Sequence, residues 1–284
     1  MKRLIVNADD FGLHTKVNHG IIEGYQNGCI RSTSFIAAGE AAEEAASLAR
    51  ENPGLGVGAH LTLVAERPVL PPDQVRSLVD ADGRLFADHG VFIKHFISGQ
   101  IRLDELYAEC DAQITKAESM GVQLSHIDSH QHLHVLPKVI DICIALAKKH
   151  GIYKMRLPAE DCMFTGGYPA PIARHIAKCG LTTCARMAKS KLLQAHIAVP
   201  QAFFGMLAGG HMYEKYFLPI LHALPEGVSE IMVHPGVDNL VLDNIYHWNY
   251  HWEEELASVK STKAMTYIKE NHVRLISFKE LADE

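Results

Sequence analysis

The sequence predicts an α/β chain folded as a parallel (β/α) barrel. About eight short strand-like runs alternate with helical patterns. The residues able to do chemistry fall at or near the ends of those runs, where barrels carry their sites. A hydrophobic content of 48% over 284 residues is enough for one substantial core. The chain is therefore read as a single domain, 1–284, with a loop or small-subdomain insertion at about 66–100.

The first run, Leu4-Ile5-Val6, breaks into Asn7-Ala8-Asp9-Asp10-Phe11-Gly12, a buried strand that delivers two adjacent carboxylates to a turn. Neighbours at a strand end diverge, so one aspartate can hold a metal while the other acts as base or orients ligands. Two aspartates alone would otherwise be a solvated turn or a helix cap. Helical spacing follows at Val17, Ile21, Ile22 and Tyr25, with Gly28 as a stop. A strand at 32–38 and an alanine-rich helix at 40–50 lead to Leu55–Leu63, in which His60 is the one ionisable side chain. Its glycine neighbours give an imidazole room to meet a metal, although a core histidine is an equal reading.

From Glu66 to Phe86 the prolines and the Asp80-Ala81-Asp82-Gly83 turn read as a long loop, a lid or entrance wall. An amphipathic helix at 104–120 then enters the segment 126–137, which holds four of the eighteen histidines. If this segment is extended, Asp128, His130, His132 and His134 share one face. They climb by roughly 6.5 Å per pair, so only one or two can ligate a single ion. The others would bind substrate or support the ligands. A helix at 137–150 and a strand at 153–158 come next, and Arg156 in that apolar strand needs an anionic partner. Either a metal-site carboxylate or Glu160 or Asp161 could supply it.

The segment 171–196 reads as helix with a basic, solvated face, and 202–206 as a strand followed by a Gly-Gly-His-Met loop that brings His211 toward the same rim. The run Ser229–Val233 ends at His234, stopped by Pro235-Gly236, and a histidine there can serve as general acid. Residues 243–255 carry both tryptophans, Trp248 and Trp252, as core packing or as a substrate platform. A helix to about residue 270 and a strand at 273–278 complete the pattern.

A formal charge of −6 leaves no basic footprint for nucleic acid. Six cysteines without a CxxC pair indicate neither a thiolate zinc site nor a disulfide framework, so a reduced, cytoplasmic compartment is expected. Three apolar residues after Met1-Lys2-Arg3 are too few for a secretory signal.

With these residues in place, the chain resembles the YdjC-like family of carbohydrate deacetylases. The resemblance rests on Asn-Ala-Asp-Asp-Phe-Gly at 7–12, Gly-Ala-His-Leu-Thr-Leu at 58–63, His-Ile-Asp-Ser-His-Gln-His-Leu-His at 126–134, Arg156 with Pro158, and Val-His-Pro-Gly at 233–236. The Gly-Gly-His-Met and 246–252 segments look more like the hopanoid biosynthesis-associated branch than the chitooligosaccharide branch. Gln131 stands where some relatives carry another histidine.

The resemblance implies a distorted (β/α) barrel and one divalent ion, magnesium or zinc with manganese or cobalt as alternatives, on Asp10, His60 and His130. Asp9 would be the base, oriented by Arg156, and His234 the acid. His132, His134, His211, Trp248 and Trp252 would face the substrate, an N-acetylated amino sugar or glycolipid. Peripheral contact with a membrane and a homodimer are compatible with it. A chitooligosaccharide is the alternative substrate. A metal-dependent phosphoesterase and a non-catalytic sugar-binding protein are the rivals of another class.

Overall fold

The computed structural model describes residues 1–282. The strands are β1 (Lys2–Phe11), β2 (Ser32–Phe35), β3 (Gly56–Leu61), β4 (Leu124–Ser129), β5 (Ala202–Phe204), β6 (Gly227–Val233) and β7 (Arg274–Leu275). The helices are α1 (Thr15–Asn27), α2 (Ala42–Glu51), α3 (His89–Ile97), α4 (Leu103–Ser119), α5 (Val139–His150), α6 (Ile172–Gln194), α7 (Glu214–Ala223), α8 (Asn239–Tyr246), α9 (Trp252–Val259) and α10 (Thr262–Glu270).

The strands run parallel in the order β4-β3-β2-β1-β6-β5, with β7 pairing beside β1. The sheet curls into a half-barrel surrounded by helices, an α/β architecture consistent with a distorted barrel. Beyond β4, two single bridges, Ile127 with Met155 and Lys154 with Ala198, carry it toward the segment that enters β5. The strand expected at 153–158 is reduced to these bridges. Pro158 and Pro200 follow them closely, and neither can donate to a ladder.

Alternation along the strands sorts the side chains into two environments. On β1, Leu4, Val6 and Ala8 join a core shared with the outer helices. Ile5 packs instead with Val228, Ile276 and Phe278. Above Ile5 on the same face stand Asn7 and Asp9, linked by a 2.9 Å hydrogen bond. A second core, under β3, β4, α4 and α5, takes Ala59, Leu61 and Ile127 together with Leu106, Cys110 and Ile114 of α4. The inner faces of the central strands are thus polar toward their C-terminal ends, and the apolar stripes face the helices.

The stretch between β3 and α4 contains α3 and is tied down by α4. Glu109 accepts from the backbone of Val69 and Leu70 at 2.8 and 3.0 Å. The extended segment expected through 134 stops at Ser129. His130–Val135 is a kinked turn, broken where Gln131 and His132 take left-handed φ values of 56° and 58°. No helix among the described residues is long and apolar enough to cross a membrane.

Candidate metal and catalytic site

The site forms where β1, β3 and β4 end. Asp9 continues the inner face of β1, and an ordinary strand would send Asp10 to the opposite face. Asp10 instead has φ +70°. Its carboxylate lies 3.1 Å from His130 Nδ1 and 3.4 Å from His60 Nε2. Ligands held about 2.0–2.2 Å from one small cation stand about 3–3.5 Å apart, so this spacing suits a shared ion. His60 donates from Nδ1 to Asp128 at 2.8 Å, since a carboxylate can only accept, and this turns the Nε2 lone pair toward Asp10. His60 Nε2 and Asp10 Oδ2 are buried with no hydrogen-bond partner among the described residues. Asp10, His60 and His130 form a group able to hold a metal, and so do Asp9, His60 and Asp128.

Arg156 organises the floor. Its two terminal nitrogens bond both oxygens of Asp9 at 2.7 and 2.6 Å, one of them also meets Asp128 at 2.9 Å, and Nε bonds Glu230 at 2.7 Å. Glu160 lies elsewhere and accepts from the backbone of Gly205. Ser34 donates to Asp128 at 2.6 Å, and Asn7 bridges Asp9 and Ser34. All of these side chains are buried.

Asp9, Asp128 and Glu230 share one guanidinium and Asp10 stands beside them, so carboxylates outnumber cations. The titration of the site reflects this. Burial would lower His60, but Asp128, Asp10 and Asp9 outweigh it and push it up to about 10. Burial would raise Asp10, but His130 and His60 hold it well below the usual carboxylate range. Burial raises Glu230 to about 7 despite Arg156. An interior that pulls protons onto an imidazole this strongly is one that a cation would neutralise.

Next to this group lies a cavity of about 450 Å³ lined by Asp9, His130, His132, Arg174, His234 and Tyr250, among others. His234 ends β6, and its ring Nδ1 lies 3.8 Å from Glu255. Glu255 is buried and also accepts from the backbone of His234 and Met212. The Trp248 ring is 5.4 Å from that of His130.

Two of the residues expected to face substrate, His134 and Trp252, are enclosed by other partners. His134 is fully buried, with Nδ1 on Ser129 and Nε2 against the Arg156 carbonyl, so no ring nitrogen is left for a ligand. The cause is the kinked turn, whose left-handed residues Gln131 and His132 end the extended alternation before His134. Trp252 is 1% exposed and packs in the core against Gly236. His211 packs against the rings of Tyr168 and His251.

The sequence reading assigned no role to Asn7, Ser34, Glu230 or Glu255. Two-residue spacing from Asp9 would have found Asn7. Glu230, charged within an apolar run, carried the same signal that singled out Arg156.

A family model described as YdjC-like protein matches residues 3–270. The chain is 32% identical to a carbohydrate deacetylase of Thermoanaerobacter pseudethanolicus over 282 residues, covering 98% of each chain. It is 33% identical to a chitooligosaccharide deacetylase of an Enterobacter species, covering 99% of each. Among solved structures, a putative cellobiose-phosphate cleavage protein of Enterococcus faecalis superposes with a TM-score of 0.77 at 27% identity, covering 99% of each chain. With a family model matching residues 3–270 and relatives above 30% identity over nearly the whole length, the chain belongs to the YdjC-like family.

Proposed function

We propose that this protein is a metal-dependent N-deacetylase that releases acetate from an amino sugar. The observation that carries the reading is the Asp9–Arg156 pair set against the Asp10, His60 and His130 group. A held carboxylate beside a cation site is what a hydrolytic water needs. When bound there, a divalent ion polarises an amide carbonyl and acidifies water. One carboxylate and two imidazoles suit zinc, manganese, cobalt or magnesium.

Asp9 takes the proton of the attacking water, and Arg156 and Asn7 keep its carboxylate aimed. His234 gives a proton to the departing nitrogen, because an amine leaves poorly unless protonated. Glu255, bonded to the His234 backbone N–H and 3.8 Å from its ring Nδ1, holds His234 in place. His132 and Trp248 border the place of the sugar. The deacetylase relatives support an N-acetylated carbohydrate as substrate. The chitooligosaccharide relative supports a soluble oligosaccharide. A hopanoid-linked sugar has the resemblance of the 209–212 and 246–252 segments as its support.

The test is acetate release from N-acetylglucosamine oligosaccharides with and without chelator. The expected result is activity lost on chelation and regained with one divalent ion. Phosphate release from a sugar phosphate without acetate would favour the phosphoesterase reading. Sugar binding without turnover would leave a binding protein.

A further inference from the structure

Three of the six cysteines, Cys29, Cys110 and Cys143, are buried, and burial pushes their thiols up, those of Cys29 and Cys143 to about 12. Thiols in such surroundings are inert. Cys162 and Cys179 differ. Both are partly exposed, and their side chains share a hydrogen bond although they stand seventeen residues apart in the chain.

The backbone explains why they meet. Residues 159–171 run from the bridged segment that carries Arg156 to the start of α6. Thr182 Oγ1 of α6 donates to the Glu160 carbonyl at 2.9 Å. The buried Lys178 ammonium donates to the carbonyls of Asp161 and Phe164 at 2.7 and 2.6 Å. Cys162 is therefore held between anchored carbonyls, against the part of α6 that bears Cys179. Arg174, Ala177, Lys178 and Leu181 of the same helix line the catalytic cavity. Among the described residues, no third histidine, cysteine or carboxylate completes a metal-binding group with the two sulfurs. Two accessible thiols already in contact suit a disulfide instead, since the bond can close with little backbone movement.

We propose that Cys162 and Cys179 are a redox modification site, closing a reversible disulfide that ties residues 159–171 to the cavity wall on α6. The oxidant is a small-molecule disulfide, for which oxidised glutathione serves as probe. The bond to Cys162 holds the Cys179 thiol above its ordinary range, so Cys162 attacks first and Cys179 resolves. The Cys162 thiolate attacks one glutathione sulfur and expels the other as thiolate, leaving a mixed disulfide. The Cys179 thiolate then attacks the Cys162 sulfur and expels the second glutathione. The two protein thiols give up two protons and two electrons, and the glutathione disulfide becomes two thiols. A partly exposed disulfide of this kind is labile, as a sensor requires.

The experiment equilibrates the full-length protein with oxidised and reduced glutathione, traps free thiols with iodoacetamide and maps the peptides by mass spectrometry. A Cys162–Cys179 cross-link reversed by dithiothreitol is expected, and it should be absent from Cys162→Ser and from Cys179→Ser. Deuterium exchange reads its effect on the wall. Amides of residues 159–171 should exchange about 10-fold more slowly in the oxidised wild type than in the reduced protein, because the cross-link restrains local opening. The oxidant should leave exchange in Cys162→Ser unchanged. Thiols that stay free at the most oxidising ratio would overturn the pair, as would glutathione retained on either cysteine without a cross-link. A bond from either one to Cys184, the other partly exposed cysteine of α6, would overturn it too. A cross-link that leaves exchange in residues 159–171 unaltered would refute the tie to the cavity wall.

Discussion

His60 donates from Nδ1 to Asp128 over 2.8 Å, and this one bond decides which ring nitrogen faces Asp10. Asp128→Asn should therefore weaken divalent-metal affinity by about 10–100-fold, the usual cost of losing such a partner. His60→Ala or His130→Ala should abolish stoichiometric binding. Titration calorimetry with zinc, on variants whose folding is checked by circular dichroism, reads both effects. A full metal complement in both histidine variants would refute the ligand set.

Asp9→Asn should keep its metal and lose turnover by about 10²–10⁴-fold, the range for a missing general base. Asp10→Asn should impair metal binding itself. Metal content and acetate release measured on the same preparations separate the two. Exchanged phenotypes would reverse the roles.

The two tryptophans should behave oppositely. Trp252 is buried in the core, so Trp252→Ala should cost about 3–5 kcal/mol of stability in a urea titration. Trp248 is half-buried beside His130, so Trp248→Ala should leave the urea midpoint nearly unchanged and reduce kcat/KM. Equal stability losses would place both in the core.

Burial pushes His126 down to about 3 and His134 to about 4, against the pull of Asp128. An unfolded histidine titrates near 6.5. Stability from these neutral rings is therefore present above about 6.5 and lost as pH falls toward 4 and then 3, at about 1.4 kcal/mol per pH unit per ring. Burial raises Glu160 and Glu230 to about 7, which works in the opposite sense as the pH falls. Comparison with His126→Gln isolates the histidine effect. Its urea stability should fall less steeply than the wild type's between pH 6.5 and 4, and parallel slopes would contradict the buried neutral ring.

The alternation of strands and helices was legible because outward faces carry apolar residues at strand and helix spacing. The structure draws Asp10, His60 and His130 together because they stand at the C-terminal ends of β1, β3 and β4 in one curled parallel sheet, a placement that strand ends in a sequence can suggest. The inner polar ladder was harder to see. Asn7, Ser34 and Asp128 are ordinary residues whose importance depends on which face they occupy, and strand register fixes that. The turn at 130–135 was not legible either. Nothing in Gln131-His132 announces two left-handed residues, and the extended reading sent His134 to the wrong place. Trp252 stayed open between platform and core because an aromatic near a site reads alike as either until its neighbours are known.

The left-handed backbone of Asp10 has a consequence for how this site can change. Positions 9 and 10 carry the same side chain, so composition cannot distinguish a proton acceptor from a ligand. In the proposed roles one torsion angle does, by swinging the second carboxylate back over the strand end while the first stays clamped to Arg156. The division of labour is written in the main chain. Exchanging the two roles would require rebuilding the strand's exit, and no substitution at either position alone could accomplish it.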